Sequence, residues 1–520
     1  MAPAVATANF RSVRTGHDPS TRDGRWWFIG RGRSVLGSLG GNIERQAFER
    51  LEMDRLSALD ASFLVMEDRV NHMHIGSVGI FEGPPPPYEA VAALVASKMP
   101  LVPRYRQRIR NVPLQLNWPI WVDDPHFNLG YHVRYTALPA PGGREQLRNL
   151  VGRVMSQQLD RTKPLWEFWL VEGLEDGNFA VVSRVHHCMV DGISGSDLLA
   201  VLLDREPRAT VQEAPPFEPA EEPSALELAR DSVVSLVSHP FRQLKGMLGG
   251  ASGFESIQVG LREFAKGAVS MLGLARPTPS GSLNGPIGPH RRWDWATGNL
   301  AEVKEIRNAL GGTVNDVVLA AITNGFRELL MSRGEDVTDR VVRTLVPVSV
   351  RASEARGVYD NRVSAMFAAL PVGIADPIAR LEAIRAQMDD LKESKQAVAG
   401  EVLASLSGFA PSLLLTLGAR VAARVPQRNL NTVTTNVPGP QFPLYLCERR
   451  MLDAFPFVPL VPETRIGIAI FSYCGSLNYG ISGDYDNAPD LDVLARGIEE
   501  GLAQLLKLAR EQQGAEAPTS

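Results

Sequence analysis

The chain has 520 residues, 44% hydrophobic and 22% charged, an ordinary globular composition long enough for two or three domains. Its net charge of -4 gives no electrostatic reason to expect a nucleic-acid partner. The three cysteines, Cys188, Cys447 and Cys474, are widely spaced, imply no disulfide framework and fit a reducing cytosol.

Residues 1–52 are rich in Arg, Gly and Ser, with an isolated WWFIG at Trp26–Gly30 and no continuous apolar core of a secretory signal. An Arg-rich arm that touches anionic lipid is one reading of this segment. From His72 to Gly83 the sequence alternates like a strand, and the four prolines from Pro84 stop it. Tyr88–Met99 has a helical pattern. Pro103–Arg110, PRYRQRIR, is strongly cationic; it would either approach phosphates or lipid headgroups or form a solvated face, and the solvated face is preferred. Pro164, Leu165 and Trp166 put a proline at the start of a strand, followed by two large apolar side chains, which is foremost a packing device.

Asn178–Val185 reads as a strand and Ser194–Asp204 as a helix, so RVHHCMVDG, Arg184–Gly192, sits at a strand-to-helix turn. Such a turn can present a polar side chain to a cleft while strand and helix hold it rigid. A neutral imidazole from His186 or His187 could there take a proton from an alcohol. Asp191 admits two roles: holding an imidazole tautomer, or pairing with an arginine to fix the turn that ends at Gly192. A His-His pair before a helix is also compatible with plain packing or with a fragment of a metal site, but no second His/Cys cluster at ligand spacing supports zinc. Cys188 reads as a small, partly buried side chain rather than a nucleophile.

Glu206–Ser224 is rich in Pro and Glu and reads as a linker. Beyond it, Val233, Val234, Leu236, Val237, Phe241, Leu244, Met247 and Leu248 form a helical apolar stripe, suited to packing across domains or to a membrane interface. After the turn-rich SLNGPIGPHRRW, helices are expected over Leu300–Ala309 and from about Thr313. At the start of the second, Asn315 and Asp316 either satisfy the helix terminus or lend an amide to a bound substrate. Thr344–Arg351 and Ser364–Val372 read as buried strands. Val402–Ala419 is an uncharged run interrupted by Pro411, read as a broken helix pair rather than a span. Asn431–Pro440 ends a strand in a Pro-Gly turn, two strands flank Gly475, and Leu491–Leu508 is a closing amphipathic helix. Two halves of similar α/β character emerge, without an internal repeat.

The motifs PLW, HHCMVDG, LNGP, TVNDVV and NVPGP, in this order, resemble those of the bacterial wax ester synthase/diacylglycerol acyltransferase family. The resemblance runs from about Met53 to Leu508, which suggests that translation starts at Met53 or that 1–52 is a poorly ordered extension. CERRM, Cys447–Met451, departs from the small Ala/Gly stretch that the family pattern leads one to expect. The resemblance implies an α/β fold of two domains similar to chloramphenicol acetyltransferase, meeting at an active-site tunnel. It divides the chain into an N-terminal acyltransferase domain (53–205), a linker and helical crossover (206–284), a C-terminal acyltransferase domain (285–510) and a frayed tail (511–520).

It also implies an enzyme that transfers a long-chain acyl group from acyl-CoA to diacylglycerol, with no cofactor and no metal. His187 would be the general base, His186 a supporting residue, Asp191 a structural one and Gly192 part of the turn. Asn315 and Asp316, with Pro164, Leu165 and Trp166, would support the site. Fatty alcohols are the alternative acceptors, and a silent lipid-binding or lipid-droplet protein is the alternative outside catalysis. The enzyme is expected in the cytoplasm, attached to the inner membrane face or to lipid bodies. The sequence does not indicate an oligomeric state.

Overall fold

The computed structural model describes residues 53–190, 201–208, 215–234, 281–349, 363–393 and 430–516. The extension 1–52, the apolar stripe beyond Val234 and the run Val402–Ala419 lie outside the described residues. The described strands are β1 (His74–Phe81), β2 (Gln107–Arg110), β3 (Ile120–Asp123), β4 (Val133–Ala137), β5 (Trp166–Glu172), β6 (Phe179–His186), β7 (Arg291–Asn299), β8 (Val342–Ser349), β9 (Val363–Leu370), β10 (Thr432–Val437), β11 (Tyr445–Leu446), β12 (Arg449–Phe457), β13 (Ile466–Tyr473) and β14 (Ser476–Asp484).

They form two six-stranded mixed sheets and one hairpin. The first sheet runs β11-β12-β1-β6-β5-β4, antiparallel except for the β4–β5 pair. The second runs β7-β14-β13-β10-β8-β9, with β10 parallel to both of its neighbours. The sheets do not divide the chain at a single point. Residues 445–457, assigned from sequence to the second domain, are strands of the first sheet.

Helices cover both faces of the first sheet, so its strands are apolar on both sides. On one face, Phe179 and Val181 of β6 pack with Val91, Leu94 and Val95 of the helix Tyr88–Lys98. On the other, Ala180 and Val182 meet Leu147, Leu150, Val151 and Val154 of the helix Arg144–Met155. The second sheet buries Ile466, Ile468, Ile470, Tyr479 and Ile481 under the helices Val314–Ser332 and Leu491–Glu516. That last helix continues through Glu516, so the expected frayed tail is helical over its first six residues.

The two sheets meet along β12 and β14. Asn478 Nδ2 of β14 donates to the Ala454 carbonyl of β12 at 3.0 Å. A Cβ on Gly480 would lie 1.6 Å from the Pro456 carbonyl oxygen, so only glycine permits this approach. The helix Arg144–Met155 adds a second joint: Arg144 and Arg148 both bind the buried Asp294 of β7, at 2.8 and 2.7 Å.

The cationic PRYRQRIR stretch forms neither the solvated face expected for it nor an open anion site. Arg104 pairs with Asp54 at 2.8 Å and lies over Trp121. Arg108 and Arg110 both pair with Glu222, and Arg106 stacks on Phe217. The described part of the Pro/Glu-rich linker is therefore laid along the hairpin, and just beyond it the buried Leu228 packs against Ile120 and Val122.

Candidate active site

The His-His pair sits at the end of β6, as the strand side of the strand-to-helix reading expects; most of the expected helix, Ser194–Asp204, lies outside the described residues. In the register of β1 and β6, His186 faces His74. Backbone hydrogen bonds fix both histidines: His186 N–H donates to the Leu165 carbonyl (2.9 Å) and His187 N–H to that of Met73 (2.8 Å). The chain then closes into a 3-10 turn, His187–Met189. Asp191 and Gly192 lie outside the described residues.

His186 caps this turn and is fully buried. Its Nδ1 accepts the Cys188 backbone N–H at 3.2 Å, which leaves the ring proton of the neutral imidazole on Nε2. Nε2 faces Oε2 of Glu67 at 3.6 Å. Glu67 is buried, which alone would raise its pKa; the imidazole of His186 and the guanidinium of Arg161 outweigh that and lower it to about 2. Arg161 Nε donates to Glu67 Oε2 at 2.7 Å.

The imidazole of His187 is stacked on Phe63, with ring centroids 3.9 Å apart and planes at 26°. Its Nδ1 is buried without a hydrogen-bond partner. Burial pushes its pKa below the ordinary histidine value, against an opposing pull from its own backbone carbonyl, and a charge on His186 acts in the same downward direction. The ring is thereby kept in the neutral form that can accept a proton. Burial also drives the Cys188 thiol far above the ordinary range, as befits a packed side chain and not a nucleophile.

Pro164, Leu165 and Trp166 are all buried beside this turn. Leu165 supplies the carbonyl that holds His186. Trp166 donates from Nε1 to the Tyr105 carbonyl at 2.7 Å and is stacked on His132 at 4.6 Å. These contacts are those of a scaffold. Among the described residues, no group of three or more His, Cys, Asp or Glu side chains is placed to hold a metal ion.

The model of the wax ester synthase/diacylglycerol acyltransferase catalytic domain matches residues 56–318, and that of the family's C-terminal domain matches 359–506. A Mycobacterium tuberculosis relative named as diacylglycerol O-acyltransferase tgs1 is 37% identical over 475 residues, covering 89% of this chain and 97% of its own. The chain belongs to the wax ester synthase/diacylglycerol acyltransferase family. A solved family member from Marinobacter aquaeolei is 26% identical and superposes with a TM-score of 0.62 over 88% of this chain and 99% of its own. The trichothecene 15-O-acetyltransferase TRI3 of Fusarium sporotrichioides shares the fold at 11% identity, with a TM-score of 0.53 over 87% and 94% of the two chains.

Of the N-D pair in this family member, Asp316 satisfies the helix terminus. It forms a capping box with Thr313: its Oδ2 accepts the Thr313 N–H at 2.8 Å, and the Thr313 hydroxyl accepts the Asp316 N–H at 3.3 Å. Asp316→Ala should therefore lower stability by about 1 kcal/mol. Chemical denaturation can check this, and an unchanged midpoint would contradict the capping role. Asn315 instead accepts a hydrogen bond from Asn436 Nδ2 at 3.3 Å, which joins the N-D motif to N-V-P-G-P. Neither residue is hydrogen-bonded to His186 or His187 among the described residues.

Sequence reasoning missed Glu67, Arg161, Phe63 and the Asn315–Asn436 link. Glu67 follows an apolar helical run, where a lone carboxylate gives no sign of its distant partners. The T-x-x-D spacing of Thr313 and Asp316, by contrast, is a visible capping signal.

Proposed function

We propose that this chain is an acyl-CoA-dependent O-acyltransferase that esterifies diacylglycerol with a long-chain acyl group, giving triacylglycerol and CoA. The observation that carries the mechanism is the half-buried His187 imidazole, backbone-anchored through Met73 and stacked on Phe63, with its pKa lowered. The 37% identity to the mycobacterial diacylglycerol acyltransferase supports diacylglycerol as acceptor over a fatty alcohol.

An alcohol hydroxyl is a poor nucleophile until a base takes its proton. His187 removes that proton as the oxygen attacks the thioester carbonyl carbon. The tetrahedral intermediate collapses to ester and thiolate, and the imidazolium of His187 returns the proton to the sulfur of CoA. No covalent acyl-enzyme is formed. His186 and Asp191 hold the turn, Pro164, Leu165 and Trp166 brace it, and the Asn315 amide steadies the substrate or its developing charge. Acyl-CoA and acceptor meet in a tunnel between the two acyltransferase domains, the first of which is completed by strands from residues 445–457. No helix among the described residues is long and apolar enough to cross a membrane. Attachment to a membrane surface or lipid body would bring the enzyme to its apolar acceptor.

Purified protein given radiolabelled palmitoyl-CoA, with diacylglycerol or hexadecanol as acceptor, should put label chiefly into triacylglycerol on thin-layer chromatography. Label chiefly in wax ester would overturn the acceptor assignment. No ester from either acceptor would overturn the reaction.

A further inference from the structure

Glu67 lies outside the PLW, HHCMVDG, LNGP, TVNDVV and NVPGP motifs, yet three separate connections lead from it to the imidazole of His187. The first is through His186. The Glu67 carboxylate faces Nε2 at 3.6 Å, the nitrogen left with the proton because Nδ1 accepts the Cys188 N–H. The second is through Met73, whose N–H is 3.4 Å from Glu67 Oε1 while its carbonyl holds the His187 N–H at 2.8 Å. The third is through the helix Ala58–Met66. Glu67 is its C-cap and donates its N–H to the Phe63 carbonyl at 3.0 Å, and the Phe63 ring lies on His187. Arg161 closes the group, binding the Glu67 carboxylate and, through Nη2, the Leu64 carbonyl at 2.9 Å.

A buried carboxylate costs several kcal/mol in desolvation unless its oxygens are used. Here Arg161 binds Oε2 and the Met73 N–H reaches Oε1, while Nε2 of His186 faces the carboxylate at 3.6 Å without a hydrogen bond to it; Met73 and His186 both adjoin His187. From this convergence we infer that Glu67, held by Arg161, is a positioning residue for acyl transfer: it fixes the ring of His186 and, through it, the orientation of the His187 base. The inference rests on the proposed reaction with His187 as base. Glutamine at this position keeps the shape but turns an N–H donor toward either Arg161 or the His186 Nε2–H. The orientation is then lost without emptying the site.

The test compares wild type, Glu67→Gln and His187→Ala for kcat and for KM toward palmitoyl-CoA, with thermal melts to show that each is folded. Glu67→Gln should lower kcat by about 10²-fold, the size of loss that an ångström of misplacement produces, with KM changed less than about twofold. A folded Glu67→Gln protein with wild-type kcat overturns the inference and leaves the proposed reaction standing. If Glu67→Gln does not fold, Arg161→Gln, altered at a half-exposed side chain, decides by the same split between kcat and KM. Imidazole 15N shifts give a readout independent of turnover. Wild-type His186 should be the Nε2–H tautomer, and an Nδ1–H tautomer overturns the inference even if no ester is formed.

Discussion

Replacing His187 by alanine should lower the rate of ester formation by roughly 10²- to 10⁴-fold while leaving the protein folded, the range that a positioned general base contributes. The side chain is half-buried at the end of β6, and its removal deletes one ring stacked on Phe63, not a member of the main core. As the proposed base, the same group should set the pH dependence. Burial lowers its pKa, so the neutral base persists further into acid than an ordinary histidine, whose pKa is about 6.5. In a profile of kcat/KM, activity should rise with pH through an apparent pKa below that value and then level off. Initial rates from pH 5 to 8 will measure both. A folded His187→Ala protein with more than about a tenth of the wild-type rate would remove His187 from the chemistry.

Glu167→Ala should be the most damaging substitution for stability. Glu167 and Arg184 face each other in the register of β5 and β6, and both are almost fully buried. Arg184 binds Glu167 Oε2 through Nε at 3.0 Å and Nη2 at 2.7 Å, and Arg134 takes Oε1 at 2.9 Å. Alanine at 167 leaves the Arg184 guanidinium buried with carbonyl partners alone, the Val154 carbonyl at 2.9 Å among them. An uncompensated buried charge of this kind costs about 3–5 kcal/mol. Urea denaturation should show the loss, and the double replacement Glu167→Leu with Arg184→Met should recover most of it. A cost for Glu167→Ala below about 1 kcal/mol would mean that water reaches the pair.

The elements of the fold were legible wherever local pattern and burial agree. The strand ending in His-His, the helix from Tyr88, the helix from Leu300 and the pair of strands about Gly475 fall within a few residues of their expected bounds. Gly475 has a φ of 88°, the left-handed turn that its position between two alternating runs implies. The PLW segment read as packing, and its buried Leu165 and Trp166 pack. What could not be read depends on tertiary pairing. Arg184 shares a strand face with Ala180 and Val182 and would pass for a solvated residue, because its partner Glu167 lies on another strand. Glu222 binding Arg108 and Arg110, Asn436 meeting Asn315, and Glu67 reaching His186 join positions roughly 110 to 120 residues apart, and no spacing rule spans such distances.

The place of β12 bears on how the chain acquires its structure during synthesis. β1 is hydrogen-bonded to β6 on one side and to β12 on the other, and β12 arrives only at residues 449–457. Until that stretch has left the ribosome, β1 is an open edge beside the half-assembled histidine turn, with its backbone groups free to pair with another chain. Closure of this sheet joins residues almost 400 positions apart, the kind of late, long-range pairing that slows folding and exposes intermediates to aggregation. The catalytic-domain match ends at residue 318, well before β12, so a fragment cut there would carry the histidines on a sheet missing its neighbour. His187, the proposed base, would be present, but its supporting sheet would not be complete.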